Sequence, residues 1–194
     1  MKLVVKKCMQ GLSLVLVFIP ALLAGCGRFR AMFTVMAHAF ALLPGLPGDY
    51  LRTAYYRLTL DRCSLESRIS FGSFFAHPQA VVGEGVYVGP YCILGCCVIG
   101  DRTQIASHVQ ILSGRRQHSR DETGQVGGAE HQAFETVEIG SDCWLGAGAI
   151  IMAPVGPKST IGAGAVVVSP IEADAVAVGN PARVIKKAVS VARS

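Results

Sequence analysis

Val82-Gly83, Val88-Gly89, Leu94-Gly95, Ile99-Gly100 and Ile105-Ala106, followed by Ile139-Gly140, Leu145-Gly146 and Ile161-Gly162, punctuate the stretch from Val82 to Val184. An aliphatic residue with Gly or Ala after it thus returns about every six positions. That period fits neither an amphipathic helix nor an alternating strand of an ordinary sheet. It fits a parallel β-solenoid, in which six residues make one short strand and a corner, and three such units close a triangular coil. The aliphatic residue points into the coil, and the small residue after it allows a sharp corner. Val and Ile suit the flat, stacked strands.

The repeat sets the boundaries of the rest. Its first units run through Phe75–Ala80, Val82–Tyr87 and Val88–Ile93, and the solenoid is expected to begin near Ile69. The unit after Leu94 is one residue short, and the coil from Ile151 through Pro154 to Ile161 is short again. Between Ile111 and Ile139 the period stops. Residues 113–136, SGRRQHSRDETGQVGGAEHQAFET, are polar and Gly-rich, and a long insertion of this kind in a regular solenoid reads as an extruded functional loop. The expected organisation is therefore an apolar N-terminal segment over 1–48, an amphipathic helix and connection over 49–68, the solenoid over 69–184 and a polar tail over 185–194. In residues 49–62 Asp49 is expected to cap a helix whose apolar stripe is Tyr50, Leu51, Ala54, Tyr55, Leu58 and Leu60, with the arginines on the opposite side.

Composition narrows the function class. The chain has 194 residues, enough for one domain with a substantial core. Charged residues make up 16% and hydrophobic ones 51%, which excludes a disordered chain or a nucleic-acid tail. The net charge of +5 is local: Lys2, Lys6, Lys7, Arg28 and Arg30 supply it, and no acid occurs before Asp49. Such a balance points to a membrane surface and not to nucleic acid. The 7 cysteines form no C-x-x-C pair, and no His stands near them at zinc spacing. Cys92 and Cys143 fall four places after a repeat aliphatic and read as buried, reduced core residues, as expected in the cytosol.

Residues 8–27 carry no charge and are about as long as a membrane-spanning helix. A signal peptide, a membrane anchor and a helix packed against the domain all fit. A second uncharged run over 31–48, broken by Pro44 and Pro47, favours membrane association through residues 1–48 with the domain at the inner, cytoplasmic face of the cell membrane.

Two features outside the repeat carry the chemistry. One is His118, in Arg-Gln-His-Ser within the inserted loop. The other is Val-Gly-Asn-Pro-Ala-Arg-Val-Ile-Lys over 178–186. With the repeat, they resemble the hexapeptide-repeat acyltransferases, in particular the galactoside/maltose O-acetyltransferase group and, more closely, the colanic-acid type exopolysaccharide biosynthesis acetyltransferases. The resemblance covers about residues 44–187. It implies a left-handed parallel β-helix with N-terminal helices and an extruded loop, assembled as a homotrimer. It also implies transfer of an acetyl group from acetyl-CoA, as co-substrate, to a sugar hydroxyl in surface polysaccharide biosynthesis, with no metal.

Position by position, the resemblance makes His118 the general base. An imidazole near its ordinary pKa suits that task, since a hydroxyl attacks a thioester only as its proton is taken. His108 is a rival and, with His131 and Trp144, a candidate substrate contact. Trp144 can stack on a sugar or line the pantetheine arm. Coenzyme A contacts fall on Ala147, Ala163, Val168, Ser169, Arg183 and Lys186, although Val168-Ser169 replaces the Thr-Lys common in the family. A serine or free-sugar acetyltransferase is the alternative enzyme. A solenoid that serves only as a scaffold or metal-binding trimer is the non-enzymatic alternative; such a metal site needs three histidines across a subunit interface, and His77, His108 and His131 are too scattered to make that pattern.

Overall fold

A computed structural model describes residues 2–114, 122–127 and 134–187. Among the described residues three α-helices, α1 (Lys2–Leu23), α2 (Arg30–Ala41) and α3 (Gly45–Thr59), precede sixteen short strands. The strands form three parallel sheets, the faces of a triangular solenoid of about five coils, consistent with a left-handed β-helix. Face A holds β1 (Arg62–Cys63), β4 (Val81–Val82), β7 (Cys97–Ile99) and β10 (Val137–Ile139), continued by bridges at Val155 and Ile171. Face B holds β2 (Arg68–Ile69), β5 (Tyr87–Val88), β8 (Gln104–Ile105), β11 (Trp144–Leu145), β13 (Thr160–Ile161) and β15 (Ala175–Val178), and is closed by the antiparallel β16 (Arg183–Lys187). Face C holds β3 (Phe74–Phe75), β6 (Ile93–Leu94), β9 (Gln110–Ile111), β12 (Ile150–Ile151) and β14 (Val166–Val167).

The last residue of each two-residue strand is the anchor. Ile69, Phe75, Val82, Val88, Leu94, Ile105, Ile111, Leu145, Ile151, Ile161 and Val167 are all buried in one continuous core, stacked coil upon coil. The glycine after an anchor is needed for a reason other than the one expected. The tight turn is taken three residues after the anchor, where Gly85, Tyr91, Arg102, His108, Asp142, Lys158 and Asp174 hold φ between 55° and 66°. The glycine next to the anchor instead lies under the following coil: a Cβ on Gly89 would stand 2.7 Å from the Ala106 carbonyl carbon, and one on Gly146 would stand 2.5 Å from the Ala163 nitrogen. Buried hydroxyls stitch the coils together. Ser73 donates to the Gly89 carbonyl at 2.6 Å and accepts from the Cys92 amide at 2.8 Å, and Thr103 does the same with Gly140 and Cys143.

Three boundaries differ from the sequence expectation. Strand pairing starts at Arg62–Cys63, ahead of Ile69, because Cys63 is an anchor whose following residue is Ser64 and so escapes the aliphatic-glycine pattern. β16 runs to Lys187, beyond the start expected for the tail at 185. α3 begins at Gly45 with Pro44 at its N-cap, so Asp49 lies inside the helix and caps nothing.

The arginines of α3 are not all on a solvent face either. Arg52 is 0% exposed. Its guanidinium donates to the carbonyls of Phe40 and Leu43, which end α2 and start the next turn, to the Ile69 carbonyl of the first coil, and to Asp49 at 2.5 Å. Asp49 also takes Arg68 at 2.7 Å. One buried, fully partnered cation thus ties α2, α3 and the solenoid together. Desolvation lowers the Arg52 pKa from its ordinary value, and Asp49 opposes that shift. Burial raises Cys63 to about 12, and Cys92, Cys97 and Cys143 are pushed up for the same reason, so these thiols stay protonated and inert.

Candidate functional site

The three corners are unequal. From a face A anchor to the next face B anchor is six residues in every coil, and so is the step from B to C. From C to A the step is seven residues (Phe75 to Val82), five (Leu94 to Ile99), twenty-eight (Ile111 to Ile139), then four twice (Ile151 to Val155, Val167 to Ile171). Both the short units and the inserted loop belong to this one corner.

At the C-to-A corner the loop is pinched at its base. The Glu135 amide donates to the Ser113 carbonyl at 3.2 Å, and the Cys96 amide holds the Ser113 hydroxyl at 2.9 Å. Gly114 takes φ +89° against the Glu135 side chain. The returning strand then leans on the start of the molecule: the Phe134 ring packs 4.4 Å from that of His77, and the Arg30 guanidinium lies 5.9 Å from the Phe134 ring centroid. Arg30 donates to Nδ1 of His77 at 2.9 Å, which leaves the proton of the neutral ring on Nε2. Burial, with Arg30 adding to it, lowers the His77 pKa. His118 and His131 lie outside the described residues.

The B-to-C corner is regular and open. Stacked up it are Gly72, Tyr91, His108, Gly148 and Gly164, each three residues after its anchor and each with φ between 59° and 76°. The Tyr91 ring covers Gly72 and meets Phe71 edge-on at 5.6 Å, and His108 lies parallel to it at 5.2 Å and 11°. Above His108 the side chains stop. A Cβ on Gly148 or Gly164 would meet nothing within 4 Å, and Ala147 and Ala163 beside them are exposed. The result is an open strip of corner backbone free of large side chains, the notch, on the coils that follow His108. Trp144 stands on face B at the approach to it, 58% exposed, paired with Gln104 below and Thr160 above.

Most of the residues picked from the sequence therefore gather along one edge. His108, Ala147 and Ala163 line the notch, Trp144 flanks it, and Arg183 and Lys186 are exposed on β16 at the end of the same face. Val168 and Ser169 do not join them. They follow β14 and sit at the C-to-A corner, on the side that bears the loop. His77 is at that corner too, so His77 and His108 do not converge, and among the described residues no three metal-binding side chains cluster. Tyr91 is an addition that the repeat read in line does not single out, and it shares its place in the coil with Gly148 and Gly164, the last residues of the two Gly-Ala-Gly runs. Aligning the coils on their anchors, instead of reading units of six in line, puts all three in one column with His108. A separate cleft of about 290 Å³ between α1, α3 and the first coil, lined by Lys6, Asp49, Glu66 and Arg68 among others, is remote from both corners.

Residues 79–113 match the family model for bacterial transferase hexapeptide repeats (six repeats). Those residues carry the hexapeptide-repeat pattern of that model. Over 121 residues it is 33% identical to serine acetyltransferase of Escherichia coli (strain K12), covering 57% of this chain and 37% of that one. Over 108 residues it is 41% identical to nodulation protein L of Rhizobium leguminosarum bv. viciae, covering 53% and 55%. The chain thus spans between about a third and about half the length of the curated relatives it matches. Among solved structures, a galactoside acetyltransferase in complex with coenzyme A superposes with a TM-score of 0.66 at 20% identity, over 85% of this chain and 83% of that one, a likeness of fold.

Proposed function

We propose that this protein is an acetyl-CoA-dependent O-acetyltransferase that acetylates a sugar hydroxyl in the assembly of a surface polysaccharide. The observation that carries the reading is the presence, on one hexapeptide-repeat solenoid, of a side-chain-free notch at one corner and a His-bearing insertion at another. A pantetheine arm is thin and amide-rich, and an exposed glycine edge admits it close to the backbone. Arg183 and Lys186, exposed on β16 further along the same face, would meet the phosphates at the other end of the cofactor in this reading.

In the proposed reaction His118 takes the proton of the acceptor hydroxyl as its oxygen attacks the thioester carbonyl. A backbone N–H stabilises the oxyanion, and the carbon–sulfur bond then breaks. The imidazolium returns the proton to the sulfur, so coenzyme A leaves as the thiol and the acceptor as its acetyl ester. Trp144, an exposed aromatic beside the notch, offers a flat apolar face of the kind on which sugar rings stack. That supports a sugar over serine, the acceptor named for the E. coli relative. The buried, free thiols of Cys63, Cys92, Cys97 and Cys143 suit a reducing cytoplasm, where acetyl-CoA is supplied.

In one chain the loop and the notch leave different corners. A closed ring of copies brings the C-to-A corner of one copy against the B-to-C corner of the next, and we assign the site to that junction in a homotrimer. Subunit mixing tests this. His118→Ala and Gly148→Trp, which fills the notch, should each be inactive toward acetyl-CoA and a panel of free sugars, lipid-linked oligosaccharide and serine. Co-assembled in equal amounts they should recover about one quarter of wild-type activity, since that share of junctions pairs an intact loop with an intact notch. No recovery from mixed trimers defeats the shared site, and turnover of serine alone defeats the sugar acceptor.

A further inference from the structure

α1 wears its polarity inside out. Its inward face carries Lys6, Gln10, Ser13, Val17 and Ala21, continued by Ala24 just past its end, and all of these but Lys6 are buried. Gln10 donates to the Leu65 carbonyl at 2.7 Å, and Lys6 and Lys7 donate to Glu66 at 2.5 and 2.7 Å. Its outward face carries Leu12, Val15, Leu16, Ile19 and Leu22, with Val15 73% exposed. α2 continues the theme, with Met32 and Val35 exposed and Phe33 and Ala37 turned in. A helix whose outer face met water would have the reverse pattern.

Length and composition would let α1 cross a bilayer: Leu3–Leu23 has a mean hydropathy of 1.6. Its attachments do not allow it. The Lys6, Lys7 and Gln10 bonds fix the beginning of α1 to the first coil. Val17, Ala21 and Ala24 are buried farther along, and just beyond, at Gly27, an added Cβ would collide with the Thr59 carbonyl oxygen at the end of α3. The helix is thus held along its length against α3, which carries Asp49, Arg52 and Arg57. To span, it would have to pull those charges into hydrocarbon or give up every one of these contacts.

We infer that α1 and α2 form an in-plane anchor, their outward apolar faces sunk roughly 5–10 Å into one leaflet of an anionic bilayer, with no segment of α1 crossing it. The occupant is lipid and not a second copy of the same face, because of charge. Residues 1–48 contain five Lys or Arg and no Asp or Glu; Glu66, held by Lys6 and Lys7, offsets one of those charges, and the positive balance that remains makes two such faces repel each other while an anionic surface attracts both. The inference does not depend on the acetyltransferase reading, and its test uses no acceptor.

The full chain is mixed with vesicles of phosphatidylcholine, with or without about one third phosphatidylglycerol, and sedimented. Binding to the anionic vesicles is expected, weakened by salt. Val15→Glu with Ile19→Glu should reduce the bound fraction about tenfold or more while the circular dichroism and oligomeric state stay as in the wild type. For topology, Cys8→Ser with Lys2→Cys puts one thiol at residue 2, the first of α1, and keeps the exposed Cys26 just past its other end. An impermeant maleimide added outside the vesicles should label both. Labelling of only one end would mean that α1 spans and would overturn the inference. So would undiminished vesicle binding by the double Glu variant, or a change in its oligomeric state with vesicle binding intact.

Discussion

The B-to-C and C-to-A corners are made by the same chain on the same coils, yet one never varies and the other never settles. Every B-to-C unit is six residues, so its turn residues form a column and whatever they carry is presented in register. C-to-A units run from four residues to twenty-eight. The difference shows what the solenoid tolerates. Two corners of constant length are enough to keep each anchor above the last, because the coil closes through hydrogen bonds between coils and not through the third turn itself. The third corner is released from the repeat and can carry the loop.

Four experiments press on that contrast. The largest effect is expected at the variable corner: His118→Ala should lower kcat by roughly 10²–10⁴-fold with melting unchanged, whereas His108→Ala, at the regular corner, should cost much less than the smaller of those factors and act mainly on KM. Equal losses in kcat would erase the division of labour between the corners.

An insertion comes next. One Ala added between Gly146 and Ala147 throws Ile151 and the anchors after it out of their inward register and should destabilise the fold by about 3 kcal/mol or more. One Ala added between Ser169 and Pro170, at the C-to-A corner, should cost about 1 kcal/mol or less. Denaturant melts of the two proteins compare them directly.

A smaller loss, about 1–3 kcal/mol, is expected for Gly146→Ala, where the added carbon meets the Ala163 backbone. The same change at Gly11 in α1, where a Cβ meets nothing within 4 Å, should stabilise by up to about 1 kcal/mol. If both behave alike, stacking is not what selects glycine after the anchor.

The finest effect concerns His77. Its folded-state pKa is lowered, so the unfolded chain binds its proton first as pH falls. The stability from the neutral ring is complete above about 6.5 and is lost progressively below it. NMR titration should give a midpoint below 6.5, and Arg30→Ala should move it upward. An unmoved midpoint would place the cause in burial alone.

These contrasts are only partly legible in the residues. The anchors announce themselves, because Ile, Val and Leu beside Gly at a fixed step of six suit few folds besides a solenoid. Cys63 holds the same position without that signature, so the repeat alone starts the solenoid too late. Arg52 sorts to the solvent side of a helical wheel, which ranks residues by polarity, while the carbonyl cage formed by Phe40, Leu43 and Ile69 is a tertiary fact that no local pattern carries. The notch is hidden when units are read in line. Its residues are about sixteen to forty positions apart, and only the unequal C-to-A lengths, once known, bring them into one column.

The Arg30–His77–Phe134 contact joins the end of the loop to the helices. A guanidinium and two rings thus form one chain of contacts from the first turn of α2 to the returning end of the insertion. The same insertion is a ready point for exchange: a loop from another solenoid, spliced between Ser113 and Glu135, would inherit the pinch at its base and this linkage at its side, and would need no change in any coil.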